Sequence, residues 1–133
     1  MKYIVLSFAL LLFFFMANAQ SDDERRIIGI VSRESWENAD GKTRHLTSVE
    51  KYDQNGNKIE EIKYSKEKSI KKRIVCTYNS NNDKISETEY DESGKQVQRI
   101  IYEYNGNLRV TKKEYDEKNK LVAWKTYEYK YKN

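Results

Sequence analysis

Residues 52–77 read YDQNGNKIEEIKYSKEKSIKKRIVCT, residues 78–103 read YNSNNDKISETEYDESGKQVQRIIYE, and residues 104–128 read YNGNLRVTKKEYDEKNKLVAWKTYE. Set one under another, the three lines repeat with a period of 26 residues, the last being one residue shorter. Within them Tyr52, Tyr64, Tyr78, Tyr90, Tyr102, Tyr115 and Tyr127 follow one another at intervals of 12, 14, 12, 12, 13 and 12. Turn clusters separate short runs: Asp53 to Gly56, Ser65 to Ser69, Asn79 to Asp83, Asp91 to Gly94, Asn105-Gly106 and Asp116 to Asn119. Short runs at this spacing, bounded by Gly, Asn, Asp and Ser, predict an antiparallel β-meander. Asn-Gly is the strongest of the hairpin signals, because both residues tolerate positive φ. A helix fails on spacing, since no apolar stripe at i, i+3, i+4 and i+7 persists between turns.

The reading extends outward from the repeat. Ile27, Ile28, Ile30 and Val31 announce a strand, Asn38-Ala39-Asp40-Gly41 a turn, and Thr43 to Tyr52 a second strand. Residues 26–51 therefore form a diverged leading hairpin unit, and 52–133 hold three hairpin repeats with a closing strand. Eight strands are expected, at about 26–36, 43–52, 57–64, 70–78, 84–90, 95–104, 108–115 and 120–131. One such unit cannot bury its own faces, so neighbouring units must stack side by side. Aligning the units gives columns. Ile59, Ile85 and Val110 share one, Val75, Ile101 and Thr126 a second, Ile74, Ile100 and Lys125 a third, and Cys76, Tyr102 and Tyr127 a fourth. The second and third fall on opposite faces of one strand. Both faces are then mixed, which predicts an all-β, twisted single-layer or curled sheet.

The N-terminus has a different character. Lys2 is followed by an apolar run from Val5 to Met16 and by Ala17-Asn18-Ala19. This is the layout of a secretory signal peptide over 1–19, with cleavage between Ala19 and Gln20. The run is short for a span, which takes about 20 residues, and no second one follows. A polar leader covers 20–25. The expected product is an exported soluble protein, periplasmic or extracellular, without a transmembrane segment.

All four Phe and both Met lie in the leading segment, so Tyr and Trp supply the large aromatic side chains beyond it. Lys2 is the only charged residue before Gln20. The remainder carries 24 Lys and Arg against 21 Asp and Glu, a balance that does not favour nucleic acid as a partner. The chain has one cysteine, Cys76, and therefore no intramolecular disulfide.

Tyr52-Asp53-Gln54-Asn55-Gly56-Asn57-Lys58-Ile59 resembles the opening of a tyrosine-aspartate (YD) repeat of Rhs-type and short exported bacterial proteins, as do Tyr90-Asp91-Glu92-Ser93-Gly94-Lys95 and Tyr115-Asp116-Glu117-Lys118-Asn119-Lys120. Tyr78 and Tyr104 are followed by Asn where that family has Asp. The resemblance covers residues 52–128 and implies β-hairpins winding into a spiral sheet, which in large relatives shells a toxin cargo. Three units are too few to enclose anything, and the toxin and protease segments have no counterpart.

Chemistry is sparse. Cys76 and His45 are the only thiol and imidazole, and Cys76 stands in a tyrosine column, the place of a packing residue. Glu61, Glu87 and Glu89 could pair as in glycosidases, but Lys112 takes the third unit's position, so salt pairs on a solvated face explain them better. Asp53, Asn55 and Asn57 could offer oxygens to calcium, yet the same pattern is ordinary turn chemistry. The basic run Lys66, Lys68, Lys71, Lys72 and Arg73 is a solvated, edge-protecting face. No catalytic residue, metal or cofactor is expected.

The aromatic end remains. Tyr102, Tyr104, Trp124, Tyr127, Tyr129 and Tyr131 form the candidate binding set, with the tyrosines alternatively serving as the sheet's core. The expected function is a non-enzymatic binding or structural module acting through a tyrosine-rich face or an open sheet edge. The expected partner is an envelope or secreted protein, with glycan second. The alternatives are a small secreted hydrolase and an accessory or remnant of an Rhs-type toxin system.

Overall fold

The computed structural model describes residues 29–38 and 40–132. The expected signal peptide over 1–19, the expected cleavage point at Ala19/Gln20, the expected leader over 20–25 and the start of the first expected strand lie outside them. The fold is all-β: β1 (Ser32–Glu37), β2 (His45–Tyr52), β3 (Lys58–Tyr64), β4 (Ile70–Tyr78), β5 (Lys84–Tyr90), β6 (Gln96–Asn105), β7 (Leu108–Tyr115) and β8 (Leu121–Thr126). They form one antiparallel sheet in sequence order, with β1 and β8 as its two edges. Strands pack on their sequence neighbours, and among the described residues no second layer covers either face. The last strand ends at Thr126, short of the expected 131.

Every strand pairing slips once, and each slip falls immediately before an aromatic residue: Trp36, Tyr52, Tyr64, Tyr78, Tyr90, Tyr104 and Tyr115. Such a bulge bends the strand and re-aims its terminal side chain. The residue after the aromatic then closes the turn. Asp53 Oδ1 accepts the N–H of Asn55 and of Asn57 at 2.9 Å, and Asp116 Oδ1 accepts those of Lys118 and Lys120 at 2.9 Å. Asn79 and Asp91 do the same for Asn81 and Asp83 and for Ser93 and Lys95. These oxygens are engaged in turns, which is the role weighed above against calcium.

In each of these turns one residue takes positive φ: Gly56 (76°), Lys68 (65°), Asn82 (64°), Gly94 (80°) or Asn119 (59°). The β6–β7 connection differs. Asn105 pairs with Leu108, leaving the two-residue loop Gly106-Asn107, in which Gly106 alone has positive φ. Asn105 is thus a strand residue rather than part of an Asn-Gly turn, and this tighter loop is where the third unit loses its residue. Glycine at the first loop position suits a type II′ hairpin.

The tyrosine that ends one hairpin locks onto its start. Tyr78 Oη donates to the Lys58 carbonyl at 2.8 Å, Tyr104 Oη to Lys84 at 2.8 Å, and Tyr129 Oη to Arg109 at 2.7 Å. Each bond spans 20 residues, so the period seen in the sequence is the period of this lock. Tyr52 lacks that carbonyl partner and donates instead to the Glu50 carboxylate, 2.9 Å away.

Register assigns the faces. Glu50, Glu61, Ile74 and Glu89 lie across one another on what we term the front, with Cys76, Glu87, Ile100, Glu114 and Ala123 in the next front row. Lys51, Glu60, Val75, Thr88, Arg99 and Tyr115 form a row on the back. The core is thin. Its buried apolar residues are Tyr52, Cys76 and Ile100, while Glu50, Asn57, Lys58, Glu61 and Thr111 are equally buried.

Candidate functional site

The thiol and the imidazole do not meet. His45 begins β2, with Nε2 3.3 Å from Glu37 Oε2, while Cys76 lies on β4 at the opposite end of the strands. Burial pushes the Cys76 thiol up to about 11, so near neutral pH it carries a proton. Its sulfur lies 3.9 Å from Glu87 Oε2, which also receives Lys84 Nζ at 3.1 Å. Among the described residues no three His, Cys, Asp or Glu side chains converge as metal ligands. A shallow recess of about 360 Å³ on the back lies between Ile70, Arg73, Tyr90 and the turn 91–94. Arg73 stacks on Tyr90 there, 5.5 Å from the ring centre.

The glutamates differ from expectation in one respect. Glu61 does not sit on a solvated face. Its side chain is 11% exposed, beside Lys58 at 9% and Glu50 at 6%. Lys58 Nζ donates to Glu50 Oε1 at 3.2 Å and to Glu61 Oε2 at 3.1 Å, and Arg33 closes on Glu50 from β1. Burial alone would raise the Glu50 carboxyl. The bonds from Arg33, Tyr52 and Lys58 outweigh it, and the net shift is downward. This is a filled, mutually satisfied ion cluster that positions three strands. Lys84 with Glu87 repeats it one unit later.

The third unit departs from this plan. Arg109 stands in the column of Lys58 and Lys84, but Lys112 replaces Glu61 and Glu87, and Lys125 replaces Ile74 and Ile100. Lys112 and Lys125 are direct cross-strand partners on the front, beside Tyr102. Arg109 is the hub. Its guanidinium lies 4.4 Å from the Tyr102 ring centre and 5.8 Å from that of Tyr104, and its Nε and Nη2 are each 3.4 Å from Tyr104 Oη. Its carbonyl holds Tyr129. Lys125 lies 5.1 Å over the Tyr127 ring. Lys112 bonds Glu114, which raises its ammonium, and the Tyr102 and Tyr127 hydroxyls act in the same direction.

Of the six residues singled out in the sequence, Tyr102, Tyr104, Tyr127 and Tyr129 are therefore gathered around Arg109, Lys112 and Lys125. Tyr102, Tyr104 and Tyr127 are half-buried and Tyr129 is exposed. Tyr131 is 79% exposed beyond the last strand. Trp124 does not join them: it follows Lys113 across the sheet on the back, 5.8 Å from that ammonium. The three cations are what the sequence reading missed. Their signal was present in the columns, where two positions acidic or apolar in earlier units turn basic together.

No family model matches the chain, and no curated protein or solved structure matches it either. Among the described residues no helix is long and apolar enough to cross a membrane.

Proposed function

We propose that the chain is an exported, non-enzymatic β-repeat module that binds another envelope or secreted protein through the front of its third unit. The observation that supports this most is the joint change of columns: Lys112 and Lys125 appear together, beside Arg109, where the other units keep Glu and Ile. In the first two units the position of Lys112 is a glutamate paired with the lysine three residues before it. Tyrosine rings with cations stacked over them offer contact area of low conformational cost together with positive charge. The matching partner surface is an acidic segment that lies across Tyr102, Tyr104, Tyr127 and Tyr129.

The test is capture from an envelope fraction, with the retained proteins identified by mass spectrometry. The protein should retain a defined acidic partner whose capture weakens as salt screens the charges. Lys112→Glu with Lys125→Glu, and separately Tyr127→Ala with Tyr129→Ala, should lose it while far-UV circular dichroism stays unchanged. Equal capture by both double variants overturns the reading. Retention of acidic glycan in place of protein overturns the partner class.

A further inference from the structure

On its back face the first unit holds a neutralised triad that the second unit takes apart. Lys51 stands opposite Glu60 across the β2–β3 pairing, and Arg73 reaches Glu60 diagonally from β4. Lys51 Nζ and Arg73 Nε each bond one oxygen of that carboxylate. One period later the same three positions hold Thr77, Ser86 and Arg99. The frame around them is unchanged. Thr77 stands opposite Ser86, and Arg99 is flanked by Thr88 and Tyr115. The ring contact of Arg73 with Tyr90 is kept as well, Arg99 lying 5.3 Å from the Tyr115 ring centre. The lysine and the carboxylate have gone together. In their place the Thr77 and Ser86 hydroxyls bond each other.

The guanidinium has stayed without its counter-charge. Arg99 Nε is enclosed and has no hydrogen-bond partner among the described residues. Its diagonal neighbours on the back are Ser86 and Lys113, and Lys113 is bonded to Glu103. An enclosed charged donor left unpaired is costly, and an acceptor supplied to it recovers that cost. In the third unit the arginine itself becomes Trp124, so no acceptor is called for there. A glutamate side chain differs from a serine side chain by a –CH2–COO⁻ group in place of a hydroxyl. The group that the second unit has given up is therefore the size of acetate.

We infer that the back of the second unit is a carboxylate-binding site. A carboxylate from outside the chain lies between Ser86 and Arg99, where the Glu60 carboxylate lies in the first unit. Arg99 donates from its planar guanidinium fork, which matches a carboxylate in geometry and charge. The hydroxyl pair of Thr77 and Ser86 adds a donor, since one of its two hydrogens is not used between them. The Tyr115 ring fixes the plane of the guanidinium. A small carboxylic acid and a glutamate side chain of a peptide present the same group. The site faces away from Lys112 and Lys125 and does not rest on the function proposed for them.

Proton–nitrogen NMR of the arginine Nε–H groups reads Arg73 and Arg99 in one spectrum of the intact protein. Replacing chloride by acetate at fixed ionic strength should move the Arg99 signal saturably and leave that of Arg73 in place. Ser86→Glu restores the carboxylate of the first unit. It should carry the Arg99 signal toward the Arg73 position and abolish the response to acetate, with far-UV circular dichroism unchanged. Saturation by acetyl-glycyl-glutamyl-glycine amide at a lower concentration than acetate assigns the site to polypeptide side chains, and the reverse order assigns it to small carboxylates. An Arg99 signal that stays fixed in both titrations overturns the inference. So does one that moves in step with that of Arg73, or a Ser86→Glu protein that still responds to acetate.

Discussion

The first and third repeat units share a backbone and oppose each other in electrostatics. Both are bulged before their tyrosines, both close their turns on an Asx oxygen, and both are locked by a tyrosine hydroxyl on a carbonyl 20 residues back. In the first, the front columns hold Lys58 between Glu50 and Glu61, buried and neutralised. In the third, the same columns hold Arg109, stacked on Tyr102, and Lys112, bonded to Glu114, with Lys125 over the Tyr127 ring alongside. The backbone frame uses only a few positions per unit. The remaining columns are free to become core in one unit and surface in another.

The largest effect should separate the units directly. Lys58→Ala strips a buried cation from two buried carboxylates and should cost about 3–5 kcal/mol in urea unfolding. Arg109→Ala, in the same column, removes ring stacking at a wetter site and should cost only about 0.5–1 kcal/mol. Equal losses would show that the third unit is as much core as the first.

Acid should sharpen the same contrast. Glu50 is held below the usual carboxylate range as described above. Glu60 is held low first by its bond from Lys51, against burial, with Arg73 adding to it. A depressed folded-state value contributes stability that is present above the ordinary value of about 4.3 and lost as pH falls through the depressed one. The urea midpoint should therefore be flat in this respect from neutral pH to about 5 and then fall. Glu50→Gln should flatten the acid limb, and an unchanged limb would remove the cluster from the account.

The smallest effect concerns the lock. Tyr78→Phe leaves the half-buried carbonyl of Lys58 without its donor and should cost about 1 kcal/mol. Tyr129→Phe, exposed at the sheet's end, should cost less than half of that, because water replaces the hydroxyl. Matching losses would mean that Tyr129 is as enclosed as its interior counterparts.

Much of the fold was legible. Strand number, order and approximate limits follow from the 26-residue period, since turn residues and tyrosines recur wherever a hairpin must reverse and bulge. The burial of Glu61 was not legible: a Lys–Glu pattern reads the same on a solvated face as in a closed cluster. The loop at Gly106-Asn107 escaped because Asn-Gly suits more than one hairpin register. The site was half legible. The tyrosines stood out by composition, while Arg109, Lys112 and Lys125 required their columns to be placed side by side, and Trp124 had to be moved to the other face.

By itself, the sequence determined the meander. Local turn chemistry and a period of two along each strand are properties of neighbouring residues, and both are written in order along the chain. Only the tertiary structure decided which charges are core and which are surface, and which edge is left open. Those depend on which side chains three adjacent strands bring together, and on β8 having no ninth strand beside it among the described residues.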